Sequence, residues 1–310
     1  MELQQLEDSG LGLTAETVER LFAPYVAFET GPSDKMWRAE VARRARKVEK
    51  RFWRRTILGR LPHLGRTAPK IEEEYNEVWD RTALDSYKIP SEKKGRLPWL
   101  WRDKRYIAHR FGGARVRLAV LMQVIEQLKP ASVLEVGAGN GVNLLYLAGR
   151  FPETQFAGLE LTAEGVRAAQ DCQQQWPEFP EELLDFSPHP LRDRQAFRHV
   201  DFRQGSAQEL PFADGSFDLV TTVLALEQME RIRKPALREI ARVTKGHVLM
   251  IEPFRDVNRW GRRRRYIISE DYFSASIRDL PRYGLQPIWA TADLPQKAQM
   301  QFCCVLARKI

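Results

Sequence analysis

Ser132-Val133-Leu134-Glu135-Val136-Gly137-Ala138-Gly139-Asn140-Gly141 is an apolar run that ends in three alternating glycines. Such a run predicts a strand buried on both faces, and Val142 to Arg150 reads as the helix after it. A strand that enters a helix through bare backbone leaves N–H groups at the carboxyl edge of a sheet, where nucleoside-like ligands bind. Glycine there permits positive φ and leaves open the volume a Cβ would take. A dinucleotide cradle, G-x-G-x-x-G, needs its third glycine where this chain has Val142, so NAD is disfavoured.

Working outward, the alternation of strands and helices continues. Strands are expected at Gln155 to Glu160, His199 to Gln204, Phe217 to Val223 and His247 to Ile251, with helices from Ala114 to Leu128, Thr162 to Gln175 and Pro235 to Val243. Right-handed crossovers then give a mainly parallel sheet covered on both faces, an α/β class fold. Leu285 to Ala290 and Gln301 to Ala307 have no helix between them and are expected to close the sheet as a hairpin edge. Trp176 to Phe197 and Phe254 to Ile268 interrupt the rhythm as insertions. Before Gly113 the pattern reads as helical or irregular: an amphipathic helix carrying Trp37, Val41, Ala45, Val48 and Phe52, a loop at Leu61 to Pro69, a short helix with Ile71, Tyr75 and Val78, and a polar link at Ser91 to Pro98. The expected organisation is a helical, basic N-terminal extension over 1–113 and a catalytic-type domain over 114–310.

The 310 residues suit one large α/β domain with such an extension, and 43% hydrophobic with 29% charged residues excludes disordered and disulfide-scaffold classes. The formal charge of +8 is local. Twelve Lys and Arg against Glu40 and Glu49 put +10 between Lys35 and Arg66, leaving the rest near −2. Three uses stand side by side: tracking nucleic-acid phosphates together with Arg262 to Arg265, lying on an anionic membrane with Trp37, Phe52 and Trp53 inward, or docking on an acidic surface of the same protein. The three cysteines, Cys172, Cys303 and Cys304, draw neither a disulfide framework nor a metal-ligand spacing, so no metal is expected. MELQQLEDSG lacks the order of a signal peptide and no apolar run approaches about eighteen residues, so the expectation is a cytoplasmic chain.

Further matches accumulate around the glycine turn. Glu135, Gly137, Gly139 and Gly141 read E-x-G-x-G-x-G, and Gly158-Leu159-Glu160 ends the second strand with a carboxylate placed to hold both hydroxyls of a ribose. Gly205-Ser206-Ala207-Gln208-Glu209-Leu210-Pro211-Phe212 and the following Ser216-Phe217-Asp218 read like D-A-x-x-L-P-F-x-x-x-S-F-D; Leu237 to Val243 and Val248 to Pro253 supply a helix and fifth strand. From about Val116 to Ala307 the chain resembles the class I S-adenosylmethionine-dependent methyltransferases of the small-molecule, methyltransferase-11-like type. The resemblance implies a Rossmann-like, doubly wound, mainly parallel seven-stranded sheet and S-adenosyl-L-methionine as cofactor, with S-adenosyl-L-homocysteine as product. It implies cofactor contacts from Glu135, Gly137, Ala138, Gly139, Glu160, Leu161, Ser206, Ala207 and Leu224. Two departures stand out: Ser206 where the family commonly has aspartate, and Glu227-Gln228-Met229 in place of a Glu-His pair.

The implied reaction is in-line methyl transfer, dominated by alignment, with a base needed only for a protonated nucleophile. The aromatic and basic stretch Trp99 to Phe111 reads as a lid, from which Tyr106 and His109 are candidate bases beside Glu227, and Arg110 with Arg255 candidate acceptor contacts. The expected acceptor is an anionic or aromatic small molecule, lipid-linked ones included. Thr221-Thr222-Val223-Leu224 lacks the N-P-P-Y-type motif of many base-amine methyltransferases, which ranks an RNA-directed enzyme second; a non-catalytic cofactor-binding scaffold is the third reading. The oligomeric state is not written in the sequence.

Overall fold

Thr14 accepts a hydrogen bond from the Thr17 N–H (3.2 Å) and so starts the first helix of the computed structural model, which describes residues 2–31, 33–58, 68–81, 87 and 96–310. In chain order the N-terminal elements are α1 (Ala15–Phe22), β1 (Val26–Thr30), α2 (Lys35–Leu58), α3 (Ala68–Arg81), β2 (Arg96–Trp101), β3 (Lys104–His109) and α4 (Arg110–Leu128). The expected basic helix is α2. The stretch read as a lid is instead a β-hairpin, β2 and β3, whose pairing runs from Arg96 opposite His109 to Trp101 opposite Lys104. Of the loop expected at Leu61 to Pro69, residues 61–67 lie outside the described residues and Ala68 and Pro69 open α3; of the expected polar link, 91–95 lie outside them and 96–98 belong to β2.

The hairpin exists because its apolar residues pack inward. Trp99 is fully buried, meets the Phe22 ring edge to face at 5.3 Å and donates its indole N–H to the Ala108 carbonyl at 3.2 Å. The same packing explains why α4 begins at Arg110 and not at Ala114. Gly112 and Gly113 read as breakers, yet they sit inside the helix where Cβ atoms would collide with Phe22 and Tyr25 at one position and with Trp99 at the other. His109 caps the helix, its ring Nδ1 accepting from the Phe111 N–H at 3.4 Å.

The second half contains β4 (Ser132–Val136), α5 (Val142–Arg150), β5 (Gln155–Glu160), α6 (Ala163–Gln175), β6 (Asp201–Gln204), β7 (Phe217–Val223), α7 (Arg233–Val243), β8 (Thr244–Glu252), α8 (Gly261–Glu270), β9 (Leu285–Thr291), β10 (Gln296–Lys297) and β11 (Cys303–Lys309). The seven-stranded sheet has the order β6-β5-β4-β7-β8-β11-β9. Its first five strands are parallel; β11 inserts antiparallel between β8 and β9. The C-terminal pair therefore closes the sheet as expected, with β9 rather than β11 at the edge. Strand order reverses between β5, β4 and β7, which puts the topological switch at the end of β4.

Between those two strands the chain leaves the main sheet and contributes β10 to a second, antiparallel sheet of order β1-β3-β2-β10. The buried Gln296 side chain fixes this excursion: its Nε2 donates to the Ala292 and Phe302 carbonyls and its Oε1 accepts from the Phe302 N–H. Leu6, Phe22, Trp99, Val120 and Leu306 belong to one continuous apolar core, so the N-terminal segment packs on the α/β sheet. Among the described residues no helix is long and apolar enough to cross a membrane.

Asp293 fastens this junction. Its carboxylate accepts from the Leu6 N–H (3.1 Å), the Trp101 indole (2.9 Å) and the Arg102 guanidinium (2.7 Å). Burial pushes its pKa up, but the hydrogen bonds from Arg102, Leu6 and Trp101 outweigh it and hold it below the ordinary value. Asp293→Ala leaves these donors unmet and is expected to destabilise the fold by about 1–3 kcal/mol at pH 7 in urea titrations. Because the folded-state pKa is depressed, this contribution is present above the unfolded carboxylate pKa and disappears as pH falls through the folded value; a difference that persists undiminished at pH 2 would contradict the assignment.

Candidate functional site

The carboxyl ends of β4, β5 and β7 open into a cavity of about 440 Å³, a size suited to a small molecule. Its floor is the glycine turn, with φ of +79° at Gly137, +57° at Gly139 and +74° at Gly141. A Cβ on Gly137 would strike Ala225, and one on Gly139 would come within 2.6 Å of the Trp79 ring, so the turn is bare because its neighbours approach it directly.

Two carboxylates face this floor. Glu160, 8% exposed, accepts from the Gly139 N–H (2.9 Å) through one oxygen and from the Thr162 N–H (3.0 Å) and hydroxyl (2.8 Å) through the other. A carboxylate has about four acceptor directions, so the scaffold already occupies most of them. Glu135, at the end of β4, is 1% exposed; its Oε1 accepts from the Asn143 amide at 2.7 Å and its Oε2 is buried with no partner. Burial pushes Glu135 up to about 8, the Asn143 hydrogen bond opposes this, and the Glu160 charge adds to it. An unmet buried oxygen on such a group fits a cationic donor. The bare turn, the Glu160 carboxylate and this oxygen together fit a nucleoside that bears an ammonium group, which is the chemistry of S-adenosylmethionine.

The same cavity also carries positive charge. Arg110 and Arg117 from α4 and Lys297 from β10 line it, together with Glu227 from the turn after β7. The Arg117 guanidinium lies 5.6 Å from the Phe302 ring centre, and its Nε is buried without a hydrogen-bond partner. Burial holds Arg117 below its usual range, with Glu227 pulling the other way; burial and the Arg117 charge bring Lys297 down to about 8. Glu227 is presented by a strained turn in which Leu224 has φ +53°. Glu252, fully buried at the end of β8, holds that turn by accepting from the N–H groups of Ala225, Leu226 and Glu227 at 3.0–3.2 Å.

All nine residues expected at the cofactor, along with Glu227 and Arg110, line this one cavity. Tyr106, His109 and Arg255 do not. Tyr106 turns into the second sheet, 5.6 Å from Phe22, where burial raises its hydroxyl to about 12. His109 is spent on capping α4, and Arg255 is exposed beyond β8. Ser206 lines the cavity with its hydroxyl accepting from the Gln208 N–H at 3.2 Å. No residue of the hairpin lines the cavity; Tyr75, Val78 and Trp79 of α3 do, the Trp79 ring against Gly139, and so does Tyr87. Their i, i+3, i+4 spacing was the available signal. Arg117, one of three arginines in the first half of α4, had no mark that set it apart from Arg115, and neither had Lys297 or Glu252.

Residues 134–251 match the family described as methyltransferase domain. Over 139 residues the chain is 30% identical to the uncharacterized methyltransferase YcgJ of Bacillus subtilis (strain 168), a stretch covering 44% of this chain and 46% of that one. Over 134 residues it is 31% identical to the fatty-acid O-methyltransferase of Mycolicibacterium smegmatis, covering 42% and 40%. The chain thus spans less than half the length of these two relatives. The solved 4+2 cyclase SpnF shares the fold at a TM-score of 0.50 and 17% identity, covering 79% of this chain and 97% of that one.

Glu160→Gln keeps the shape of the side chain but turns one acceptor into a donor, facing either Gly139 or Thr162. Calorimetric titration with S-adenosylhomocysteine is expected to show binding weakened about 10- to 100-fold, the cost of a hydrogen bond to a charged group. Unchanged affinity would mean the carboxylate serves the scaffold alone.

Proposed function

Residues 134–251 are a class I S-adenosylmethionine-dependent methyltransferase domain, and from that premise we propose that this chain methylates a small molecule with an anionic group and an apolar body, using Glu227 as base. The observation that carries the reading is that one cavity combines a glycine floor and two acids, Glu135 and Glu160, with the cations Arg110, Arg117 and Lys297. The relative named as a fatty-acid O-methyltransferase supports an acceptor of this build, an acid on an apolar body.

When bound, the cofactor supplies an electrophilic methyl group on a sulfonium. The chain's own residues do the rest. Glu135 and Glu160 hold the cofactor's polar ends against the glycine turn. Trp79 and Tyr75 keep water off that surface and offer the acceptor's body an aromatic wall. Arg117 and Lys297 orient the acceptor through its anionic group, and a neutral analogue leaves two recessed cations unpaired, which is a strong ground for discrimination. Glu227 lies within the field of both cations and is positioned to receive the proton that a hydroxyl or ammonium acceptor must lose.

The test has two stages. S-adenosylhomocysteine binding by calorimetry comes first, followed by transfer of a labelled methyl group to matched carboxylated, phosphorylated and neutral apolar acceptors. Transfer confined to the anionic members is expected; equal or better transfer to neutral ones overturns the acceptor assignment. Binding without any transfer would favour a non-methylating use of the fold, which the likeness to a cyclase makes concrete.

Two outcomes follow for variants and pH. For an acceptor methylated at a hydroxyl or ammonium group, Glu227→Gln is expected to lower kcat about 10²- to 10⁴-fold while S-adenosylhomocysteine affinity stays unchanged. Lys297 is cationic below about 8 and neutral above it, so KM for the anionic acceptor is expected to rise as pH passes that value. In Lys297→Met the low-pH KM is already high and this limb of the pH profile is absent.

A further inference from the structure

Apart from the cavity, the least ordinary surface of the molecule is the outward face of α2. Seven large apolar side chains are markedly exposed among the described residues, and three of them, Met36 (66%), Trp53 (56%) and Ile57 (70%), belong to this one helix. At 3.6 residues per turn they fall within about 100° of arc, roughly opposite the buried Val48. A fourth, Trp260 (84%), stands at the entry to α8, the helix packed on α2 through Arg51–Glu270 and Arg265–Glu49 pairs.

Cations fill the same arc. α2 carries ten Lys and Arg against two Glu. Arg43 and Arg44 are paired with Glu40 and Arg51 with Glu270, whereas Arg46, Lys47, Lys50 and Arg54 have no carboxylate partner among the described residues. All four are exposed, and by helical position they interleave with Met36, Trp53 and Ile57. An acidic surface of the protein itself is therefore not what this face meets, since it points to solvent.

We propose that this face of α2, with the adjoining Trp260, docks on an anionic lipid bilayer. Lys and Arg at headgroup level with Trp and aliphatic side chains reaching the acyl boundary is the pattern of an interfacial helix. Nucleic acid accounts for the cations and could stack bases on Trp53 and Trp260, but it gains nothing from the exposed Ile57 and Met36 of the same arc, which a bilayer buries. The docking does not depend on methyl transfer.

Sedimentation of the full chain with vesicles tests it. Binding is expected to equimolar phosphatidylcholine and phosphatidylglycerol and not to phosphatidylcholine alone. The pair Trp53→Ser with Ile57→Ser, and separately Lys47→Glu with Lys50→Glu, are each expected to lower the partition coefficient at least tenfold, with S-adenosylhomocysteine binding retained as the check of folding. No binding to the anionic vesicles at low salt overturns the proposal. So does full retention of binding in the apolar pair, which would leave a charge effect alone, and so does displacement from the vesicles by a lower concentration of single-stranded RNA than of competing anionic vesicles.

Discussion

One hydrogen bond, from the Gly139 N–H to Glu160 Oε2 at 2.9 Å, is the joint on which the cavity depends. Parallel pairing of β4 with β5, Glu135 opposite Gly158, brings the two carboxyl ends side by side, and the Gly137 and Ala138 N–H groups carry it to the Leu159 carbonyl at 2.7 and 3.0 Å, but backbone pairing stops there. The Glu160 carboxylate ties the turns beyond together, because its other oxygen accepts from Thr162, the residue that caps α6. One buried charge thus fixes the glycine turn, the end of β5 and the start of a helix. It also has an electrostatic consequence: its field helps push Glu135 up to about 8, so at neutral pH that group favours the protonated form until a cation arrives. Two acids on one floor are set to different tasks by their surroundings, one as a multiple acceptor and the other as a seat for positive charge.

The cations of the cavity obey the opposite constraint. Arg117 and Lys297 are drawn out of water without a matching number of carboxylates, Glu227 being the one acid that bears on both. Their lowered pKa values measure how poorly the protein alone solvates them. An anion beside them relieves that cost, whereas a neutral molecule removes the remaining water and leaves the cations worse off. Selectivity here is therefore a penalty on the wrong ligand as much as an attraction to the right one.

What was legible in the sequence follows from the range of the forces involved. The glycine turn, Glu135 and Glu160 were readable because a strand, a tight turn and a helix start are short-range events with residue-specific demands. The hairpin at Arg96–His109 was not: its aromatic alternation is equally that of a cover, and only the burial of Trp99 against Phe22 and Gly113 decides between them. The helical start at Arg110 was hidden for the same reason, since Gly112 and Gly113 serve close packing and not chain reversal. Lys297 lay beyond any local rule. A two-residue strand has no period, and its place on the cavity wall is set by the Gln296 side chain and by pairing with Trp99, almost two hundred residues earlier in the chain.

These long-range placements join the surface of α2 to the chemistry inside. The helix directs its paired charges toward its own carboxylates and α8, and stacks Trp37 against Arg105 at 5.5 Å, while the unpaired cations face outward. Arg44 belongs to the paired set, yet its charge is among those that depress Lys297. An anionic surface laid against α2 screens the helix's positive field, and the sign of the effect on Lys297 is fixed: with less repulsion the ammonium form is stabilised and its pKa rises from about 8 toward the ordinary lysine value. On the proposed reading, docking and acceptor recognition reinforce each other, because a bilayer that brings an anionic acceptor close also keeps charged the residue proposed to orient it.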